Sequence, residues 1–306
     1  MIKVLSVNKS FKKGEPKTPL DKIDINLDGI IGDAHSGKWH RQISLLASES
    51  INELSKLYNT KFNYGDFAEN ITTKGFPLHK VKIFDRFISN DVELMVSQIG
   101  KKCHQDGCSI FQKFGKCVMP KEGIFCKVIS GGALKVGDTF TYRPKVFKVK
   151  VVTLSDRASS GVYQDKSGKL IKKLTQNFFN DITSKVEVDV EIISDEKEKL
   201  LNLIDKTSAD IIFTTGGTGV GERDITVDVV KQKIKKDIPG IMELIRVKYG
   251  KENPNALLSR AVAGVLKNET LIYTLPGSQK AVSEYLNEIL KTLIHTIKMV
   301  WGIDSH

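Results

Sequence analysis

The feature that most constrains this chain is a change of rhythm near Pro144. Beyond it, long apolar runs alternate with amphipathic segments of helical period. Strands are expected over 146–154 (VFKVKVVTL), 185–193 (KVEVDVEII), 209–215 (ADIIFTT) and 270–276 (TLIYTLP). Helices are expected near 166–179, over 196–206, and near 224–235, 239–249 and 278–299. Strand and helix alternating in this way imply an α/β three-layer sandwich: a mostly parallel sheet covered by helices on both faces.

Before Pro144 the rhythm is different. Short apolar runs (KVLSVN, QISLLA, KVKIF, VELMVSQI, IFCKVIS, DTFTYR) lie between Gly, Asp and Asn turns. They imply a mainly-β, closed or barrel-like domain. Only SESINELSKLY (48–58) is plainly helical, with Ile51, Leu54 and Leu57 at helical spacing and Ser48 as its expected N-cap. A chain of 306 residues has room for about two domains. Their expected extents are 1–144 and 145–306.

With 40% hydrophobic and 27% charged residues, wholesale disorder, collagen-like repeats and a coiled-coil rod are excluded. The N-terminal sequence has no signal-like apolar core, and no run of 18 apolar residues occurs, so neither secretion nor a membrane span is expected. Four cysteines, all between Cys103 and Cys126, make no disulfide framework; a reducing cytoplasm is the expected setting. The net charge of +11 divides into +8 over 1–145 (23 basic, 15 acidic) and +3 over 146–306 (24 basic, 21 acidic). This suggests an anionic partner. Nucleic acid is not expected, because no recognition-helix or RNA-binding motif accompanies the charge.

In parallel sheets ligands sit beyond the carboxyl ends of the strands. Those ends carry Ser155-Asp156-Arg157, Ser194-Asp195-Glu196, Thr215-Gly216-Gly217-Thr218-Gly219 with Arg223-Asp224 behind it, and Pro276-Gly277-Ser278. Glycines let the backbone approach a ligand and adopt φ > 0. Exposed N–H groups in such a loop make an anion site. The run is neither a Walker A loop nor a G-x-G-x-x-G fingerprint; alone it reads as a ligand loop or a tight turn. Asp195 and Asp224 favour the ligand loop, since carboxylates beside a phosphate cradle commonly hold Mg²⁺. Such groups supply the positioning and charge neutralisation that nucleotidyl transfer needs. The plainer alternatives stay open: Asp195 and Asp224 as helix caps, Arg157 as a solvated charge, Pro276-Gly277 as a turn.

SDRASSGVYQDKSG, TTGGTGVGERDITVDV, PGIMELIR, LLSRAVAG and LPGS resemble, in order, the motif series of the MogA/MoaB family, over roughly 147–302. The resemblance implies an α/β sandwich, usually trimeric, that moves AMP from ATP onto the terminal phosphate of molybdopterin and releases pyrophosphate. It implies a requirement for Mg²⁺ and a product used for molybdate insertion. By the same resemblance Asp195 and Asp224 are the catalytic, Mg²⁺-holding acids. Thr215, Gly216, Gly217, Thr218 and Gly219 form the cradle. Ser155, Asp156, Arg157, Ser259, Arg260, Pro276, Gly277 and Ser278 line the ligands. Val220-Gly221-Glu222 departs from the family's more varied stretch.

In the first half the spacing C-x4-C-x8-C-x8-C contains no C-x2-C pair, which argues against a zinc knuckle. Cys126, in an alternating apolar run, reads as a buried hydrophobe. Cys103 has Lys101, Lys102 and His104 beside it, and positive charge favours a thiolate fit for nucleophilic, sulfur-carrying or soft-metal chemistry. A fortuitous loop pair remains the alternative for Cys103 and Cys108. The stretch from His35 to Gln42 mixes basic, aromatic and amide groups that suit an anionic heterocycle or an ordinary surface loop.

GDAHSGKWHRQISLLASESI, YGDFAENITT, IGKKCHQDGCSI, GKCVMPKEGIFCKVISGG and KVGDTF resemble the MOSC domain over residues 3–142. That resemblance implies a β-barrel-like fold that binds molybdenum cofactor and handles sulfur through an essential cysteine. Cys103, Cys108 or Cys117 fills that role, with Cys103 and Cys108 favoured and Cys103 as the molybdenum ligand. Arg41, Glu69 and Asn70 match positions around the pterin. Together the halves imply a bifunctional molybdenum-cofactor biosynthesis enzyme whose partners include molybdate-insertion proteins. A non-catalytic cofactor carrier is the alternative.

Overall fold

The computed structural model describes residues 1–13, 15–101, 114 and 117–303. The chain forms two units: Met1–Lys145 with Gly302 and Ile303, and Val146–Trp301.

The first unit contains β1 (Ile2–Lys9), β2 (Thr18–Leu20), β3 (Lys22–Asn26), β4 (Gly29–Ile30), β5 (Ile43–Ala47) and β6 (Ile71–Lys74). Then come β7 (Arg86–Ser89), β8 (Val92–Ile99), β9 (Ile124–Ser130), β10 (Gly132–Lys135) and β11 (Thr139–Arg143). Strands β11-β7-β8-β9-β5-β6-β1 pair in that order, and β1 pairs back onto β11. Seven strands thus close a barrel, which removes the unpaired edges of an open sheet. Strand β2 extends from β1, and β10-β3-β4 form a small second sheet. Val4, Ile43, Leu45, Ile71, Phe87, Leu94, Val96, Ile124 and Phe140 belong to one buried core.

Helix α1 (Ser48–Tyr58) carries Ile51 and Leu54 into a second cluster with Leu46, Phe67, Met119 and Phe125; Met119 opens the short α2 (Met119–Glu122). Ser48 is not the N-cap expected from the sequence. Ala47 holds that position without a side-chain bond, and the Ser48 hydroxyl donates to Glu49 at 3.2 Å.

The second unit runs β12 (Val146–Leu154), α3 (Asp156–Ser159), α4 (Ser167–Asp181), β13 (Lys185–Ile193), α5 (Lys197–Lys206) and β14 (Ile211–Thr215). It continues with α6 (Thr226–Lys233), β15 (Ile234–Asp237), α7 (Pro239–Gly250), β16 (Ala263–Leu266), β17 (Leu271–Leu275) and α8 (Gln279–Val300). The sheet order is β13-β12-β14-β17-β16-β15. The first four strands are parallel; β16 and β15 are antiparallel additions. The sheet is therefore mixed, a correction to the mostly parallel sheet expected. The two added strands are four residues each, IKKD and AGVL, too short and too poor in large apolar residues to show a strand pattern. A Cβ at Gly264 would stand 2.7 Å from an Ile234 methyl, so glycine lets these two strands approach.

Register alternation gives the sheet two buried faces. Val152, Leu154, Ile212 and Ile272 meet Leu200 and Ile204 of α5 and Val229 and Val230 of α6. On the other face Phe147 packs on Phe179 of α4 at 4.8 Å, and the Phe213 and Tyr273 rings stack at 5.6 Å.

Candidate functional site

The parallel strand ends of the second unit gather the residues singled out by sequence. After β14 the chain turns through Gly216 (φ +100°) and Gly217 (φ +63°). A Cβ at Gly216 would lie 2.3 Å from the Leu154 carbonyl oxygen, and one at Gly217 2.4 Å from Thr226 Oγ1, so only glycine fits either place. Thr226 then ties the loop down: its hydroxyl donates to Gly216 O at 2.8 Å and its N–H to Gly217 O at 3.2 Å. Thr215 Oγ1 donates to Pro276 O at 2.8 Å, and Ser167 Oγ donates to Gly277 O at 2.6 Å. Thr218 is buried, while Gly216, Gly217 and Gly219 are half-buried, so the loop backbone stays partly open to solvent.

The carboxylates stand around this loop. Asp156 N–H donates to Asp195 Oδ2 at 3.1 Å, and Asp195 N–H donates to Asp156 Oδ1 at 3.1 Å. This reciprocal pair joins the ends of β12 and β13. Asp224 Oδ2 accepts Gly221 N–H at 2.8 Å, and a Cβ on Gly219 would come within 2.7 Å of that oxygen. Neither Asp195 nor Asp224 caps a helix: Glu196 and Ile225 hold the cap positions of α5 and α6, without side-chain bonds. Burial pushes the Asp195 carboxyl above its ordinary value; the charges of Asp156 and Asp224 add to the rise, against the Asp156 N–H and Arg223.

Among the described residues no three His, Cys, Asp or Glu side chains converge to hold a metal ion alone. The surplus negative charge at Asp156, Asp195 and Asp224 nonetheless fits a hard cation. Mg²⁺ takes one or two carboxylates and completes its shell with water and substrate phosphates.

Arg260 does not reach outward. Its guanidinium donates to Gly219 O and Asp224 O, each at 2.7 Å, and to both oxygens of Asp228 at 2.9 and 3.1 Å. These four bonds brace the loop. Ser259 Oγ is 3.0 Å from the Tyr285 hydroxyl, and Ser278 caps α8 by accepting Ala281 N–H at 3.3 Å. Ser155 caps α3 by accepting Ala158 N–H at 3.2 Å, while Arg157 is exposed. Sequence reasoning missed Arg223 and Thr226 as contributors, although both lie inside the quoted ERDIT run.

In the first unit Glu69 and Asn70 are fully buried. Glu69 Oε1 accepts Gly65 N–H at 2.7 Å and the Thr72 hydroxyl at 2.8 Å, and burial pushes its carboxyl up. Asn70 accepts Ser44 N–H at 3.1 Å and donates to Asn8 O at 3.2 Å and to Asp33 at 3.1 Å. Asn70 braces the barrel from within, while the second Glu69 oxygen, Oε2, is buried without a hydrogen-bond partner among the described residues. Asp33 also takes Lys17 Nζ at 2.7 Å, a buried pair that sequence reasoning did not find because its members lie 16 residues apart. Arg41 is placed differently. Its guanidinium stacks over Trp39 (4.9 Å) and faces Phe125 (5.9 Å), which Lys101 also approaches at 6.0 Å. Cys126 is fully buried on β9, and burial pushes its thiol far up, as suits an inert hydrophobe. Cys117 is half-buried against the cluster around Phe67 and Met119. Cys103, Cys108 and His104 lie outside the described residues.

Comparison with known proteins gives two family matches. Residues 150–296 match the family described as "Probable molybdopterin binding domain", and residues 32–141 match the MOSC domain. The molybdopterin adenylyltransferase of Helicobacter pylori J99 is 36% identical over 158 residues, 50% of this chain and 88% of that protein. That of Escherichia coli K12 is 37% identical over 146 residues, 46% of this chain and 73% of that protein. The crystal structure of the molybdopterin biosynthesis enzyme MoaB from Thermus thermophilus is 34% identical. It covers 51% of this chain and 97% of that one, with a TM-score of 0.45.

Proposed function

The chain belongs to the molybdopterin adenylyltransferase family through its second domain and carries a MOSC domain in its first, and from that premise we propose that residues 145–306 transfer AMP from Mg²⁺-ATP to molybdopterin. The observation that carries this reading is the linked Asp156–Asp195 pair, with Asp224, beside a loop of glycines that no other residue could replace. A terminal phosphate oxygen of molybdopterin attacks the α-phosphorus of ATP. The new P–O–P linkage forms as the bond to the β-phosphate breaks, and pyrophosphate leaves. The attacking phosphate is already ionised, so no strong general base is needed. Gly216 N–H is spent on Leu275 O at 3.0 Å, so the loop N–H groups of 217–219 orient one phosphate, and Arg260 and Thr226 keep that loop in shape. Asp195 and Asp224 would hold Mg²⁺, which when bound offsets charge on the transferring and leaving phosphates. A trimer follows from the family rather than from this chain alone.

The experiment is pyrophosphate release with molybdopterin, Mg²⁺ and ATP. Wild type is expected to release it, and Asp224→Asn to lose about a hundredfold or more in rate. No release by wild type would sink the transferase reading; undiminished release by Asp224→Asn would remove that residue's role.

The first domain, on this reading, binds molybdenum cofactor, with Arg41 on Trp39 and Phe125 as the cationic platform for an anionic heterocycle. A cysteine, Cys103 or Cys108, would carry sulfur or ligate molybdenum. Cys103→Ser and Cys108→Ser are each expected to reduce molybdenum or persulfide retention, and Cys117→Ser is not; equal retention in all three would remove the cysteine role.

A further inference from the structure

Two arginines serve the second domain's strand ends, and they are held very differently. Arg260 is fixed by two loop carbonyls and by Asp228. Arg223 instead projects from the tight turn Gly221–Asp224, where Asp224 N–H donates to Gly221 O at 3.0 Å. Its guanidinium pairs with the Asp156 carboxylate. Both partners face solvent, with 68% of the Arg223 side chain and 46% of the Asp156 side chain exposed. Exposed pairs of this kind contribute little to stability, so this one exchanges readily. Arg223 is thus a positive charge on Asp156, whose reciprocal partner Asp195 the transferase reading assigns to a divalent cation.

From this placement we propose that Arg223 is a mobile counter-cation. In the free protein it neutralises Asp156. When a nucleotide arrives with its divalent cation, the cation's charge at the linked Asp156–Asp195 pair takes over that neutralising role, and Arg223 leaves Asp156 for the nucleotide's phosphates. A planar guanidinium suits that second role, because it meets phosphate oxygens with paired, charge-assisted hydrogen bonds. The inference deepens the transferase reading and rests on it for the identity of the ligand.

The test uses the full chain in two binding experiments, neither of which needs turnover. Mn²⁺ affinity without nucleotide is read by electron paramagnetic resonance, and affinity for Mg²⁺ with α,β-methylene-ATP by calorimetry. Arg223→Gln is expected to bind Mn²⁺ about threefold tighter, the size of one exposed ion pair removed as competitor. It is expected to bind the nucleotide analogue about tenfold more weakly, the size of one lost charge-assisted bond. Arg223→Lys keeps the charge but not the fork. It is expected to hold Mn²⁺ affinity near wild type and to lose part of the nucleotide affinity, which keeps the test usable if the Gln variant misfolds. Unchanged or weaker Mn²⁺ binding by Arg223→Gln, or unchanged nucleotide binding, would overturn the proposal. Such a result leaves the transferase reading standing. Conversely, absence of pyrophosphate release by wild type removes that reading without touching the Mn²⁺ comparison.

Discussion

Asp33 in the barrel and Asp195 at the sheet's strand ends are the same residue type in opposite situations. The Asp33 carboxylate is 1% exposed and takes Lys17 Nζ at 2.7 Å, Ser10 N–H at 3.0 Å, His35 N–H at 2.9 Å and Asn70 at 3.1 Å. Burial alone would push it up, yet its bonds from His35, Lys17 and Ser10 outweigh burial and hold it well below the usual carboxylate range. Asp195 is half-exposed, accepts the Asp156 N–H, and is pushed up by burial and by two neighbouring carboxylates. A carboxylate already satisfied by the protein is part of the scaffold. One left with surplus negative charge in an open strand end is suited to an incoming cation.

That contrast breaks most readily at Lys17. Removing one member of a buried pair leaves the other charge uncompensated, so Lys17→Met is expected to cost about 3–5 kcal/mol of first-domain stability. Urea unfolding, with hydrogen exchange at β1, β5 and β6 amides, reads it; a cost under about 1 kcal/mol would put Asp33 in the surface class. Acid sharpens the same point. A carboxyl held below its ordinary value of about 4 contributes its full stability above that pH and loses it as pH falls toward the folded value. Wild-type barrel stability is therefore expected to fall below about pH 4, with a shallower slope in Lys17→Met. The smallest effect is at Asp195. Asp195→Asn relieves repulsion and is expected to raise the stability of the unliganded second domain, by no more than about 1 kcal/mol for so exposed a group. A loss comparable to that of Lys17→Met would erase the distinction between the two carboxylates.

The two domains were not equally legible. Strands β12 and β13 coincide with the expected 146–154 and 185–193, because long β-branched runs bounded by helices carry their period within the sequence. The glycine loop was legible for a related reason: its shape is a backbone property of adjacent residues. Strands β15 and β16 were not, since a charged edge strand and a glycine-bearing one draw their pairing from neighbours. Arg260, Glu69 and Asn70, each expected to line a ligand, make contacts that the sequence did not show: Arg260 and Asn70 bond the protein's own backbone and carboxylates, while Glu69 keeps one buried oxygen without a partner among the described residues. Which partner a polar side chain finds is settled by distant chain segments, 62 residues apart for Asn70 and Asn8 and 110 for Ser167 and Gly277. Sequence spacing does not show that.

The proposed transfer of AMP to a pterin phosphate rests on the carboxylates and glycine loop of the second domain. Phosphorus NMR of wild-type protein with molybdopterin, ATP and Mg²⁺ tests it directly. The expected result is a new phosphoanhydride signal from adenylylated molybdopterin, rising together with pyrophosphate, and absent with Asp195→Asn. Unchanged ATP and molybdopterin, or cleavage to ADP and phosphate without that signal, would contradict it.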